Sequence, residues 1–436
     1  MTGTGKRQRG AMVLGAAFIA GVASVLALPS GGIASAAAHA DVGAPSSARS
    51  LLVSGRLVPT PGMISRLSGV YCTLASNCWA VGQYDTSSGG TDRGHNQALH
   101  WNGRTWSRVR LPDPASGYLD GVYCTSPGNC WAVGGAGLLN EALHWNGRRW
   151  SQARVPSPGG TTGGFSSLGD VRCTAARDCW AVGEYQPGTS GAPTLNQVLH
   201  WNGRKWSKVS VPNPGGTASR HRSEVFSVRC PSLRDCWAVG DYSTGPGSAA
   251  SLNQVLHWNG RRWLQARVLS PGGAGTTDGS GLDGLSCTSP GNCWAVGAYG
   301  ILGSTGTILD QTLHWNGRKW RLIPAPQPGG QGSGASSQLS NVSCASARDC
   351  WAVGSYLSPG PTVATVLNQT QHWNGTGWSQ IPAPSPGGTA SNDLNMLEGI
   401  RCTSVAYCWA VGWVEPIGGS GANQALRWNK GTWSVG

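Results

Sequence analysis

Cys78-Trp79-Ala80-Val81-Gly82 is one of seven copies of the same five-residue run; the others start at Cys130, Cys179, Cys236, Cys293, Cys350 and Cys408, at intervals of 49 to 58 residues. Around each copy stands the same four-part phrase. A short apolar run ends in Cys, the Cys-Trp-Ala-Val-Gly run follows, a third run ends at Trp-Asn, and a fourth opens on another Trp. Four strand-like pieces per unit, repeated seven times, are the pattern of a seven-bladed β-propeller, whose units bury their faces only against neighbours. The expected fold class is all-β, with seven four-stranded antiparallel blades. No segment of helical period follows the leader, so almost no helix is expected.

Within the first unit, strand A is placed at Leu67–Cys72, strand B at Trp79–Tyr84, strand C at Gln97–Trp101, and strand D starts at Trp106. Asn-Gly separates C from D in six units, as at Asn102-Gly103, and predicts a two-residue type I′ turn. That turn sets Trp101 opposite Arg104 and Leu99 opposite Trp106, with Gln97, Leu99, Trp101 and Trp106 on one face. In the last unit Asn429-Lys430-Gly431 predicts a three-residue loop with a glycine bulge. Twenty-one of the 22 Trp recur at three places in the repeat, which assigns them to the space between blades. The recurring His100, His144, His200, His257, His314 and His372, with Arg427 in the seventh unit, sit too far from the ring axis to converge on a metal.

The 14 Cys form seven pairs with five residues between partners: Cys72 and Cys78, Cys124 and Cys130, Cys173 and Cys179, Cys230 and Cys236, Cys287 and Cys293, Cys344 and Cys350, Cys402 and Cys408. In an exported chain this reads as one hairpin disulfide per blade, across cross-strand positions about 4.5 to 5.5 Å apart. Free thiols or metal sites are the alternatives, and a metal would need two pairs to converge.

Export is expected from the start of the chain. Lys6, Arg7 and Arg9 precede the apolar stretch Ala11 to Leu28, and Ala34-Ser35-Ala36 or Ala38-His39-Ala40 offers small residues for cleavage. The domain reading is a signal peptide at 1–40, an N-terminal segment with a ring-closing strand at 41–62, and the propeller at 63–436. The closing strand is assigned because Leu51 to Pro61 is similar to later D segments such as Val209 to Pro214. Without the leader, 29 Lys+Arg stand against 19 Asp+Glu. Ten cations fall at the turn after Trp-Asn: Arg104, Arg148, Arg149, Arg204, Lys205, Arg261, Arg262, Arg318, Lys319 and Lys430. Such a ring is a solvated face, or attracts an anionic cell-wall polymer or membrane surface. Nucleic-acid motifs are absent.

The A-to-B and C-to-D connections are short and uniform, whereas B-to-C and D-to-A connections are long, variable and rich in Gly, Ser, Thr and Pro. In an up-down-up-down blade the long connections share one face of the disc, where binding usually resides. Candidate ligand-binding residues are those that break the repeat there. Trp413 and Tyr118 are aromatics outside the core set; Glu184 and Asp241 follow Val-Gly in adjacent blades. Asp120, Asp283 and Glu398 stand near the start of inner strands, and His221 and Arg222 form a basic cluster with Arg220. An aromatic with scattered carboxylates and arginines suits hydroxyl-rich ligands. No catalytic residue, metal site or cofactor is assigned.

The Trp-Asn-Gly-x-x-Trp-Ser turn, as at Trp101 to Ser107, resembles the Asp-box hairpin of bacterial neuraminidase repeats, with Asn where the box has Asp. The Phe/Tyr-Arg-Ile-Pro motif of sialidases is missing, so the resemblance carries no catalytic residue. As a whole the chain resembles exported Cys-Trp-Ala-Val-Gly repeat proteins of high-GC Gram-positive bacteria. That resemblance implies a propeller and extracellular placement.

These readings lead to a secreted, monomeric, non-enzymatic protein, extracellular or cell-wall associated and without membrane insertion once its leader is cut. Its expected partner is a glycan, a cell-wall polymer or a surface protein. The alternatives are an extracellular glycoside hydrolase or polysaccharide lyase acting through Glu184 and Asp241, and a scaffold for protein interactions.

Overall fold

The computed structural model describes residues 58–86, 94–113, 116–188, 191–245, 250–273, 275, 278–301, 305–358 and 364–436. The expected leader and most of the N-terminal segment lie outside them. The described residues form a seven-bladed β-propeller in which every blade is four antiparallel strands, A to D from the axis outward. In blade 1 these are Ile64–Leu74, Asn77–Asp85, His95–Trp101 and Trp106–Arg108. The inner strands of blades 2 to 7 are Gly117–Ser126, Phe165–Ala175, Arg222–Ser232, Gly279–Ser289, Ser337–Ser346 and Leu394–Ser404. Each touches the inner strands on both sides, and that of blade 7 touches that of blade 1, which closes the ring. No helix among the described residues is long and apolar enough to cross a membrane.

Strand B explains the repeated pentapeptide. Alternate side chains of a strand point to opposite faces, and both faces of a blade are covered by neighbours. Trp79 and Val81 therefore pack toward blade 2, while Cys78 and Ala80 pack toward blade 7. Gly82 is fixed by space: a Cβ there would lie 1.9 Å from the Arg66 carbonyl oxygen of strand A. The same strand-B Trp meets the Trp pair of the next blade at every joint. Trp79 stands edge-on to Trp150 at 5.1 Å, and Trp409 of blade 7 stands edge-on to Trp106 of blade 1 at 5.1 Å. Each joint is a separate cluster of buried Trp, Leu, Val, Ala and Cys.

All seven hairpin disulfides are present, with Cα atoms 3.9–4.0 Å apart, closer than the spacing of an undistorted cross-strand pair. In blade 1 the register slips directly after Cys72, between Cys72 and Leu74.

The C-to-D turn departs from expectation. Trp101 pairs with Trp106 and Leu99 with Arg108, so Trp101 does not face Arg104. The Asn102 side-chain oxygen accepts the N–H groups of Arg104 and Thr105 at 2.9 and 3.0 Å, and the loop spans four residues. With Asn holding the turn by its side chain, only Gly103 takes positive φ, at +93°. The shared face survives this change of register, because Leu99, Trp101 and Trp106 lie in one cluster. In blade 7, Lys430 and Gly431 both have positive φ, at 50° and 114°.

The His column is structural. His200 Nε2 lies 2.6 Å from Asp178 Oδ1, and its ring packs on Trp180 at 4.4 Å; the arrangement recurs in blades 1 to 6 with Asn or Asp. Blade 7 replaces the couple with Arg427 stacked on Tyr407 at 4.8 Å.

A second ring binds the blades through polar groups. Asn140 Nδ2 donates to Gln197 Oε1 at 2.9 Å, and Gln197 Nε2 returns a bond to Asn140 Oδ1 at 2.8 Å. Asn196 with Gln254, Asn253 with Gln311, Asn368 with Gln424 and Asn423 with Gln97 repeat the clasp. Asn96 with Glu141 and Asp310 with Gln369 complete it with one carboxyl each. These groups are buried, so the five Asn–Gln clasps satisfy amides that would otherwise be costly to bury. The two carboxyl-bearing clasps, by contrast, leave Asn96 Oδ1, Glu141 Oε1, Asp310 Oδ1 and Gln369 Oε1 without a hydrogen-bond partner.

Candidate functional site: the axial channel

The inner strands surround a channel containing a cavity of about 90 Å³. Each strand runs from the loop face to the hairpin face, where the A-to-B and C-to-D turns meet; Gly103 lies against Ser76 there. Counting back from the strand-A Cys gives the channel's layers. Leu67, Leu119, Leu168, Val225, Leu282, Leu339 and Leu397, five before it, are fully buried between blades. The columns on either side are mostly polar and differ from blade to blade, because they face the lumen rather than a neighbour.

The column four before Cys holds Asp120, Asp283 and Glu398. Sequence reasoning places these near the pore entrance; the structure places them in mid-strand, enclosed by the ring. Burial pushes the Asp120 carboxyl up to about 7, with the Glu398 charge adding to it. Burial likewise raises Asp283 to about 8, helped by Asp241 and Glu398. Glu398 is raised by burial as well. Asp120 Oδ2 is buried with no hydrogen-bond partner. Near neutral pH Asp283, and Asp120 in part, hold protons, and a neutral carboxyl both donates and accepts hydrogen bonds.

Closer to the loop face, blades 3 and 4 carry an ionic network. Arg222 Nη2 donates to Asp241 Oδ2 at 2.8 Å and to Ser251 Oγ at 2.7 Å, and Arg222 Nε lies 3.6 Å from Glu224 Oε1. Glu184 is held well above the ordinary range, by burial first and then by the Glu224 charge. Glu184 and Asp241 thus belong to one electrostatic group, as their equivalent positions suggest. Arg222 is committed to this group, so it forms no surface basic cluster with its neighbours. His221 Nδ1 instead contacts the Gly215 carbonyl oxygen at 2.5 Å.

The two aromatics are not surface platforms. Trp413 is 6% exposed, and the Arg66 guanidinium covers its ring at 4.3 Å. Tyr118 donates its hydroxyl to Ser167 Oγ at 2.9 Å, and burial raises its pKa. Gly135 across the strand pair makes room for it, since a Cβ there would stand 2.5 Å from the Tyr118 hydroxyl. Both positions stand out in the repeat because their side chains fill the channel's surroundings.

Sequence reasoning missed the opposite end. The column immediately before Cys reads Tyr71, Tyr123, Arg172, Arg229, Ser286, Ser343 and Arg401, and all but Tyr123 line the cavity. Its signal was available: it is an inner-strand column that changes from blade to blade while the apolar column beside it stays aliphatic. Asp170 joins it by accepting from Ser227 Oγ, the Val228 N–H and Arg229 Nη1 at 3.0, 3.0 and 2.5 Å. Among the described residues no group of three or more His, Cys, Asp or Glu has the arrangement to hold a metal ion.

No family model and no curated protein matches the chain. Solved propellers do. A xyloglucanase of family GH74 from Xanthomonas campestris is 15% identical with a TM-score of 0.50, over 86% of this chain and 53% of that one, so the chain spans about half of the enzyme. YCF48 from Cyanidioschyzon merolae is 13% identical with a TM-score of 0.48, over 86% and 98%. The β-propeller domain of the Trilobed protease from Pyrococcus furiosus is 9% identical with a TM-score of 0.46, over 85% and 97%. At these identities the likeness extends to the β-propeller fold and no further.

Proposed function

We propose that this is an exported, non-enzymatic binding propeller that recognises a glycan or another cell-surface ligand through its loop face. The supporting observation is the contrast between the two faces of a rigid ring. On the hairpin face the A-to-B and C-to-D turns are uniform, and a disulfide closes each A–B hairpin. The loop face carries the long, variable connections. Ser116, Arg220 and Asn392, in the connections that lead into blades 2, 4 and 7, hold left-handed backbone with φ of 66°, 63° and 70°. Non-glycine residues keep that conformation only where their surroundings fix it, and such positions concentrate at binding sites. The Arg222–Asp241–Glu224 network anchors the blade 4 connection and brings charge to the channel mouth. Seven disulfides and the basic-apolar leader support an extracellular location.

The test is binding of the purified protein to a glycan array and to cell-wall fractions of the producing organism. Binding should fall at least tenfold in Arg222→Gln and in Asp241→Asn. Retention by neither array nor fractions would overturn the proposal.

Hydrolysis draws support from the raised Asp120 and Asp283, since a protonated carboxyl at neutral pH suits a general acid. Against it, a 90 Å³ cavity is well below the ~300–1,000 Å³ of usual ligand pockets, so a sugar chain does not reach those groups. Turnover of a polysaccharide that disappears in Glu184→Gln or Asp283→Asn would reverse this preference.

A further inference from the structure

The hairpin-face end of the channel holds positive charge that its surroundings do not balance. Arg172, Arg229 and Arg401, from blades 3, 4 and 7, line the same cavity of about 90 Å³. Asp170 pairs with Arg229 at 2.5 Å and neutralises that one guanidinium of the three. Arg172 has no carboxylate contact among the described residues; its guanidinium rests on the rings of Tyr123 at 4.3 Å and Tyr71 at 5.6 Å. Arg401 lies over Tyr71 at 4.5 Å, with Nη2 donating to the Tyr71 hydroxyl at 3.4 Å, and its buried Nε has no partner. Aromatic faces stabilise a guanidinium far less than a counter-ion does, and two such groups inside one protein cavity repel each other. Burial, and then Arg229 beside it, lowers the Arg172 pKa to about 10.

Two further donors point to the same ligand. Ser286 Oγ accepts the Cys344 N–H, and Ser343 Oγ accepts the Cys402 N–H, both at 3.0 Å. Each hydroxyl accepts this one bond and keeps its own hydrogen to donate, and both serines line the cavity. Two guanidiniums and two hydroxyls bring donors to a space suited to a small polyatomic ion, which the Asp170–Arg229 pair also lines. Asp120 and Asp283 line the same cavity from about three residues nearer the loop face, and burial raises their carboxyls to about 7 and about 8, which lowers the negative charge they bring to it.

We propose that this cavity binds a small oxyanion of the phosphate, sulfate or carboxylate class, held by Arg172 and Arg401 and by the Ser286 and Ser343 hydroxyls. The surrounding face serves the site. The exposed cations of the C-to-D turns, such as Arg104, Arg149, Lys205 and Arg262, encircle the channel on this same side. Cations that outnumber the acids around a pore raise the local anion concentration at its opening.

The test is thermal unfolding and calorimetric titration of the intact protein with sodium phosphate, sulfate and acetate, each against sodium chloride at matched ionic strength. At least one oxyanion should raise the melting temperature saturably beyond chloride, and the three arms separate the tetrahedral ions from the carboxylate. Arg172→Gln and Arg401→Gln should each weaken that binding at least tenfold, and Arg172→Gln should be no less stable than the parent in chloride, because it removes an unbalanced charge. Arg401→Lys keeps the charge and should bind more weakly than the parent while folding normally. An unsubstituted protein that responds to all three oxyanions as it does to chloride overturns the site, as does an unchanged response in Arg172→Gln and Arg401→Gln.

Discussion

Asn96 donates its Nδ2 hydrogen to Glu141 Oε2 at 2.9 Å across the joint between blades 1 and 2, where the equivalent joint of blades 2 and 3 holds Asn140 and Gln197. A carboxyl thus occupies a carboxamide's place. The equivalent Gln197 nitrogen shares its two hydrogens among three acceptors, Asn140 Oδ1 and the carbonyl oxygens of Ser167 and Glu184. Glu141 Oε1 has no partner, nor has Asn96 Oδ1, and a proton on the carboxyl supplies the missing donor.

The Glu141 carboxyl should therefore make stability depend on pH. Burial raises it from 4.5 to about 7, against a smaller opposing effect of the Asn96 bond. A folded-state pKa above the unfolded one means that the native protein holds the proton more tightly. Its contribution is fully present below about 4.5 and is lost as pH rises through about 7. Glu141→Gln should remove this loss and stabilise the protein by roughly 1–3 kcal/mol at pH 8, with little gain at pH 4. Denaturant melts at the two pH values measure the difference, and equal gains at both would contradict the account.

Asp310 makes the corresponding exchange from the other side of a joint, and blade 6 compensates for it. Asn140 and Asn196 donate to the Pro156 and Pro212 carbonyl oxygens, but the Pro326 carbonyl accepts from Gln371, which replaces the Leu found at that place in blades 1 to 5. Gln371 also donates to Asp310 Oδ2 at 2.9 Å. Asp310→Asn alone leaves two donors for one carbonyl, and Gln371→Leu alone leaves that carbonyl without one. The double variant should recover the common pattern, with a coupling of about 1 kcal/mol in its favour. Additive effects in a double-mutant cycle would show that the two positions are independent.

Closure of the ring should depend on the segment before blade 1. Asn423 of blade 7 donates to the Pro59 carbonyl oxygen at 2.6 Å, as Asn96 does to the Pro112 carbonyl oxygen in blade 1. Val58 packs in the cluster between blades 7 and 1, as Leu111 does between blades 1 and 2. Val58 and Pro59 thereby make the contacts that the stretch after strand D makes elsewhere. We expect removal of residues 51–61 to lower the melting temperature by several degrees or more, measured by calorimetry. An unchanged melting curve would refute a closing role; residues 51–57 themselves lie outside the described part of the chain.

Each disulfide closes a loop of sequence separation 6 inside a hairpin that is already paired. The chain-entropy account gives about 2 kcal/mol for such a loop. Replacing Cys124 and Cys130 together by Ser should cost about that much and leave the fold intact. A loss of cooperative unfolding would show instead that the bond is required for the blade to form.

The seven pentapeptides, the Cys spacing and the three Trp columns settled the fold from sequence, because each blade must present the same surfaces to its neighbours. That repetition makes local residues decide long-range contacts: Trp409 must meet blade 1 as Trp79 meets blade 2. The turn register was misjudged because Asn-Gly has two hairpin solutions, and the Asn102 side chain selects between them. The site was less legible. Asp120, Asp283 and Glu398 stood out as carboxyls in a repeat, yet only closure of the ring places them together and raises their pKa values. Arg172, Arg229 and Arg401 lie in separate units of the chain, and no local pattern joins them. The repeat determines what each blade buries between strands; the lumen, where side chains from seven blades converge at each level, exists only once the circle is closed.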